Sequence, residues 1–239
     1  MFELTWFFLP RWATAPTRYH WRHTHVQPGS RWGVFGAAAF LVSVPVFFQA
    51  PLVRWSPELG LVSTLLWWLG ALGLWWWYPR QPWASLLFGF SWSWLAGSIY
   101  WGWWRMEPLL HLPIEAIALP LALWGLWRNQ SRLGYGFYLG SLVGTAITDL
   151  FFYPTHLIPY WRQVMTVPAS AIPEVLQGAV AQLQTPWAGA WAAVLILSLL
   201  VMGLRSLRSQ SLAAWAFGGA LLSTLLVDGL FLGSVYLLL

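Results

Sequence analysis

Residues 187–204 read WAGAWAAVLILSLLVMGL, eighteen consecutive positions without a charged side chain. A bilayer core about 30 Å thick needs about 20 mostly apolar residues in one helix, so this run predicts a membrane-spanning helix. The run is continuously apolar rather than alternating, which excludes the strand of a membrane barrel. Further runs of the same character lie at residues 32–52, 59–78, 83–104, 109–127, 133–153 and 212–239. The sequence therefore predicts an all-α, polytopic transmembrane bundle of about seven spans.

The composition of the whole chain supports a membrane protein. Of its 239 residues, 59% are hydrophobic and only 8% are charged, whereas soluble domains carry about 25% charged residues. A soluble protein of this size is thereby excluded, because too little polar surface exists to cover it. Cysteine is absent, which excludes disulfides, cysteine–metal sites and thiol nucleophiles.

The distribution of arginine predicts the orientation of the bundle. Nine of the twelve basic residues, all of them arginine, fall in the N-terminal tail and in the second, fourth and sixth loops: Arg11, Arg18, Arg22, Arg31, Arg80, Arg128, Arg132, Arg205 and Arg208. The opposite side carries only Arg54, Arg105 and Arg162. Because basic loops stay in the cytoplasm, we expect a cytoplasmic N-terminus and a C-terminus on the far side.

Two segments are longer than connectors. Residues 1–31 form a basic, aromatic tail that we expect to lie on an anionic membrane surface, and residues 32–239 form the transmembrane domain. Within that domain, the far-side loop 156–186 contains apolar residues at helical spacing over residues 173–184. This spacing predicts an amphipathic helix along the interface.

Ionisable residues inside predicted spans are functional candidates, because burying a charge in lipid is expensive. The predicted topology places Glu115, Asp149 and Asp228 in one half of the bilayer, with His111 and His156 at span ends. We predict a ligand- or pigment-binding site formed by His111, Glu115, Asp149 and His156. The alternative, a structural one, is that these groups hydrogen-bond between helices, a common role in bundles.

Glycines at four-residue spacing predict close helix packing. Gly136, Gly140 and Gly144 share a face of the fifth span, and Gly229 and Gly233 repeat the spacing on the seventh. Small residues at this spacing let two backbones approach each other. Packing of these two spans would also bring their acidic residues together.

Tryptophan is unusually abundant, with 22 residues. Most fall near predicted span ends, as is typical of interfacial anchors, but Trp67, Trp68, Trp92 and Trp94 lie near mid-span. A buried indole N–H needs a partner. These four side chains either pack in the ordinary way or contact a large planar ligand such as chlorophyll or a quinone.

Several stretches within residues 47–165 resemble a family of uncharacterised integral membrane proteins from cyanobacteria. They are QAPLVR at 49–54, GFSWSWLAGSIYWGW at 89–103, HLPIE at 111–115, FYLGSLVGTAITD at 137–149 and IPYWR at 158–162. The resemblance implies a photosynthetic host and a thylakoid location, with the arginine-rich side in the cytoplasm and the far side in the lumen.

No motif of an enzyme is present: the sequence lacks a P-loop, a dinucleotide fingerprint, HExxH and GxSxG. Nucleic acid is not an expected partner, because topology explains the arginine excess. We expect a non-catalytic accessory or assembly subunit of a photosystem-type complex, with the bilayer and other membrane subunits as partners. Chlorophyll or a carotenoid is the candidate cofactor.

The alternative function is a proton-coupled or small-solute transporter whose path is lined by Glu115, Asp149 and Asp228. Transporters often contain helices that are interrupted at mid-membrane. Pro113 and Pro120 bracket Glu115 and are placed to break the fourth span.

Overall fold

Every regular element in residues 28–78 and 82–239, the part of the chain described by the computed structural model, is helical. The predicted tail 1–31 lies outside the described residues except for positions 28–31, which begin the first helix. The α-helices are α1 (Pro28–Trp55), α2 (Pro57–Trp77), α3 (Trp83–Ile99), α4 (His111–Glu115), α5 (Leu119–Trp127), α6 (Arg132–Phe152), α7 (Ile158–Thr166), α8 (Ile172–Leu183), α9 (Pro186–Leu207) and α10 (Leu212–Leu238).

Five helical segments of the described chain are long and apolar enough to cross a bilayer: Ser30–Trp55, Pro57–Trp77, Pro108–Trp127, Pro186–Leu207 and Leu212–Leu237. They coincide with five of the predicted runs. The protein is therefore an all-helical, membrane-embedded protein. The other two predicted runs are also helical, as α6 and as α3 continued by a π-helical turn, Tyr100–Trp104.

The helices α3 and α6 form the centre of the bundle. Phe90 of α3 is 3% exposed and Phe137 of α6 is fully buried, and their ring centroids lie 6.3 Å apart. Small and medium residues of α1 and α10 complete this core: Val34, Ala38, Ala216 and Ala220. Because α3 and α6 are covered by other helices, little of their surface is left to face lipid.

Close approach between backbones sets the positions of these helices. At the crossing of α3 and α6, the amide of Gly134 donates to the hydroxyl of Ser85 at 3.0 Å, and a Cβ at Gly134 would overlap the Ser85 carbonyl. The glycine face predicted on α6 is confirmed: Cβ atoms there would overlap α10, at Ala213, Phe217 and Thr224 for Gly136, Gly140 and Gly144.

The expectation that Gly229 and Gly233 also pack against a neighbouring helix is wrong. Apart from the helix's own neighbouring atoms, no described atom lies within 4 Å of the position that a Cβ would take at either glycine. Thr224 and Asp228 are the α10 residues that face α6 at this level. Since each residue turns a helix by about 100°, Gly229 and Gly233 point away from that face.

Two short helices occupy the loop between α6 and α9. The helix α8 covers the segment in which the sequence predicts an amphipathic helix. The helix α7 is tied to the loop after the π-helical turn, because the Trp161 indole donates to the Arg105 carbonyl at 2.9 Å and Arg162 pairs with Glu107 at 3.0 Å. These contacts fix α7 beside the start of the fourth apolar segment.

Candidate functional site

The fourth apolar segment is a broken helix. The helix α4 ends at Glu115, a 3-10 turn follows over Ala116–Ala118, and α5 begins at Leu119. Pro120 lies in the first turn of α5. Proline has no amide N–H and its ring crowds the carbonyl four residues earlier, which favours an interruption of the α-helix here. The break therefore falls directly beside the buried carboxylate of Glu115.

A tyrosine from α6 hydrogen-bonds to the backbone at the break. The amide of Leu119 donates to the Ala116 carbonyl in the 3-10 turn instead of to the Glu115 carbonyl, as an α-helix would require. The Tyr138 hydroxyl donates to that Glu115 carbonyl at 2.7 Å, and Tyr138 is 1% exposed. The interruption is thus built into the packing of α4 and α5 against α6.

His111 lies between two carboxylates. Its Nδ1 atom is 2.9 Å from Oδ1 of Asp149 on α6, a hydrogen bond. Its Nε2 atom is 3.8 Å from Oε1 of Glu115, one helical turn further along. Glu115 is 8% exposed. The structure therefore brings three of the four predicted site residues together, and we call His111, Glu115 and Asp149 the imidazole–carboxylate cluster.

Tyr100 completes the surroundings of the imidazole. Its ring stacks on the His111 ring with centroids 4.1 Å apart and planes at 27°, and it is the first residue of the π-helical turn. Such turns occur frequently at functional sites. Sequence reasoning did not select Tyr100, because a π-helical turn leaves no spacing pattern that distinguishes it from an ordinary helix.

Asp228 reaches the same region from α10. The Thr148 hydroxyl donates to Oδ2 of Asp228 at 2.8 Å, and Thr148 directly precedes Asp149 on α6. The second oxygen of Asp149, Oδ2, is buried and has no hydrogen-bond partner. The predicted packing of the fifth span against the seventh is thereby observed, with Asp228 bound to the residue before Asp149.

His156 does not join this arrangement. It follows α6 in a turn, with a left-handed backbone conformation at φ 56°, and its side chain is exposed. The sequence placed it near the end of a span but gave no means of telling the direction of its side chain.

The imidazole–carboxylate cluster is chemically suited to holding and passing a proton. An imidazole can release a proton from one ring nitrogen and accept one at the other, and here each nitrogen faces a carboxylate. In the described residues, no group of three His, Asp or Glu side chains has the arrangement needed for a metal ion.

The tryptophans predicted near mid-span fall into two groups. The Trp94 indole donates to the Gly60 carbonyl at 3.0 Å and to the Ser63 hydroxyl at 2.8 Å, so its partners come from α2. The indole nitrogens of Trp67, Trp68 and Trp92 are buried without a hydrogen-bond partner. Their rings pack edge to face with other aromatic rings.

Comparison with known proteins identifies a family but no characterised relative. No curated protein and no solved structure matches the chain. A family model described as "Protein of unknown function (DUF3120)" matches residues 38–236, which include α2 to α9 and most of α1 and α10. The chain therefore belongs to the DUF3120 family.

Proposed function

We propose that this protein is a proton-coupled membrane transporter of a small solute, with His111, Glu115 and Asp149 as its proton-binding groups. The observation that carries the proposal is the 2.9 Å hydrogen bond between His111 and Asp149 beside the break in the fourth apolar segment. Ionisable groups within membrane segments are expensive to bury and mark ion or proton paths.

The broken helix supports this function over a purely structural role. Transporter sites lie near mid-membrane, where discontinuous helices expose backbone groups and allow small movements. Here Glu115 directly precedes the 3-10 turn Ala116–Ala118, and Tyr100 begins the π-helical turn Tyr100–Trp104. Two irregular turns therefore meet at His111, which contacts both residues.

The proposed topology has seven crossings, with the N-terminal tail in the cytoplasm. α3 and its π-helical turn contain 22 residues, and α6 contains 21. At about 1.5 Å per residue, each is long enough for a hydrocarbon core of about 30 Å. The arginine distribution, nine against three, supports the orientation. The imidazole–carboxylate cluster then lies in the half of the bilayer away from the cytoplasm.

The proposal can be tested without knowing the solute, by measuring the movement of protons into the imidazole–carboxylate cluster. Proteoliposomes on a solid-supported membrane are given a pH jump, and the transient proton current is recorded for wild type, Asp149→Asn and Glu174→Gln. Glu174 is an exposed acid on α8, so its amide variant is the matched control. We expect Asp149→Asn to lose at least about 90% of the current and Glu174→Gln to keep it. No current in wild type, or equal loss in both variants, would contradict the proposal.

A second candidate function is an accessory or assembly subunit of a photosynthetic membrane complex in the thylakoid, with chlorophyll or a carotenoid as its pigment. The observation that favours it is the open face of α10 at Gly229 and Gly233, next to Leu226 and Leu230, which are about half exposed. A helix of another subunit fits such a face, because small residues permit close approach.

Purification from a photosynthetic host under mild conditions separates the two candidates. Co-migration with a photosystem and bound pigment would support the accessory function, and Gly233→Leu should then abolish co-migration. Gly36→Leu is the matched control, since Gly36 also has no described atom within 4 Å of an added Cβ but lies on α1. A solitary, colourless protein that conducts protons would support the transporter.

A further inference from the structure

The two ends of the bundle differ sharply in charge. Contacts at one end join the start of α1 to the turn between α9 and α10: Arg31 donates to Gln210, and the Trp32 and Trp215 rings meet at 5.0 Å. The described cations of this basic end are Arg31, Arg128, Arg132, Arg205 and Arg208. No described acidic residue accompanies them. Three of the described acids lie at the opposite end of the bundle, namely Glu58, Glu107 and Glu174. The other three lie deeper in the bundle, namely Glu115, Asp149 and Asp228.

A recess at the basic end is lined by two of these arginines. It has a volume of about 660 Å³ and is bordered by Arg205 and Arg208 together with Val201, Leu204 and Ser209. Neither guanidinium makes a hydrogen bond or ion pair with any residue in the described ranges. Arg128 differs, because its guanidinium lies over the rings of two tryptophans of α5 at 5.6 and 5.2 Å.

An apolar stripe leads from this recess along the outer face of α9. Val194, Leu197 and Val201 are 57%, 61% and 55% exposed, and their spacing of three and four residues places them on one face with Arg205 and Arg208. From residue 194 to residue 208 the helix rises about 21 Å at 1.5 Å per residue. Half of a bilayer with its headgroups measures about the same, since the whole is about 40–45 Å thick.

We propose that this surface binds one anionic phospholipid. Arg205 and Arg208 hold the phosphate, for which the guanidinium fork is well matched, and an acyl chain lies along Val201, Leu197 and Val194. Charge complementarity favours an anionic phospholipid, because Arg205 and Arg208 have no described partner and lie at the end of an apolar stripe about as long as one lipid monolayer is thick. The proposal is independent of proton transport at the imidazole–carboxylate cluster.

Native mass spectrometry of the delipidated full-length protein, titrated with phosphatidylglycerol or phosphatidylcholine, tests this site. We expect wild type to retain phosphatidylglycerol in preference to phosphatidylcholine. The double variant Arg205→Gln/Arg208→Gln should bind phosphatidylglycerol about 25-fold more weakly, roughly fivefold for each arginine. Arg128→Gln removes one positive charge from the same end and should retain wild-type binding, whereas each single variant, Arg205→Gln or Arg208→Gln, should weaken it about fivefold.

Four results would overturn the proposal. Equal retention of both lipids, or equal loss in Arg128→Gln and the double variant, would mean that no built site exists. Binding of inorganic phosphate at millimolar concentration, without any binding of phosphatidylglycerol, would indicate a free-anion site. A change of oligomeric mass in the double variant, with lipid retention unaltered, would show that a second copy of the chain covers this face.

Discussion

The inner helices α3 and α6 and the outer helices α2 and α9 meet different surroundings within one bundle. Ala96 and Ser98 of α3 are fully buried, and α6 packs through glycines against both α3 and α10. On α2, Leu66 is 67% exposed, and on α9, Leu197 is 61% exposed. The outer helices are among the segments that are clearly long and apolar enough to cross a membrane, whereas α3 and α6 are not.

This difference shows that hydropathy identifies helices that face lipid better than helices that are enclosed by other helices. A helix that faces lipid must be apolar over most of its surface, but a helix enclosed by others needs small residues for close approach and can bear polar groups that find partners. The functional candidates come from both kinds of helix. Asp149 and Tyr138 belong to α6, and Tyr100 begins the π-helical turn that continues α3. His111 and Glu115 instead lie on the apolar segment Pro108–Trp127.

The largest effect is expected when a methyl group is added to an inner crossing. Gly134→Ala places a Cβ against the Ser85 carbonyl, so α3 and α6 must separate, and we expect a loss on the order of 5 kcal/mol, enough to prevent folding. The matched change on an outer helix is Gly189→Ala, which has open space and should be neutral or stabilise by up to about 1 kcal/mol. Yield of monodisperse protein and thermal unfolding in detergent measure both.

Removal of a large side chain should destabilise the protein more on an inner helix than on an outer helix. Phe137→Ala in α6 deletes a fully buried ring and should cost about 3–5 kcal/mol. Leu197→Ala in α9 removes a side chain that is 61% exposed and should change stability by less than about 0.5 kcal/mol. Similar losses for the two variants in detergent unfolding would remove the distinction between inner and outer helices.

A single hydroxyl should have a smaller effect. Tyr138→Phe removes the hydroxyl that donates to the Glu115 carbonyl, and loss of one buried hydrogen bond costs about 0.5–1.5 kcal/mol. Tyr236→Phe on α10, where the side chain is 51% exposed, is the control and should be neutral. If Tyr138→Phe unfolds at the wild-type temperature, the broken helix does not depend on α6.

The smallest change is expected for Asp228→Asn. An amide oxygen still accepts the hydrogen bond from Thr148, so the loss should be below about 1 kcal/mol. The variant should also keep its proton current in the pH-jump assay. Failure of Asp228→Asn to fold would mean that the charged form of this acid is required for the packing of α6 and α10.

Local spacing predicted part of this arrangement correctly. The repeat of Gly136, Gly140 and Gly144 indicated a contact face, and α10 occupies it. His111 and Glu115 were predicted to share a site, and their side chains do approach each other across one helical turn. Such inferences succeed because helical geometry fixes which residues of one segment share a face.

Contacts between different helices could not be predicted from residue spacing, because they depend on how the helices pack in three dimensions. The pairing of His111 with Asp149 depends on how α4 meets α6, and the contact with Tyr100 depends on a π-helical turn. The spacing of Gly229 and Gly233 has the same form as that on α6, yet their face of α10 is open. A repeat of small residues permits packing but does not supply the neighbouring helix.

The central claim, that the imidazole–carboxylate cluster exchanges protons inside the bundle, is tested most directly by infrared difference spectroscopy across a pH change. We predict a carbonyl band of a protonated carboxylic acid that varies with pH in wild type and in Asp228→Asn. Asp149→Asn and Glu115→Gln should each remove or shift that band while the protein stays folded. A spectrum without a pH-dependent carboxylic acid band, or one that both amide variants leave unchanged, would contradict the claim.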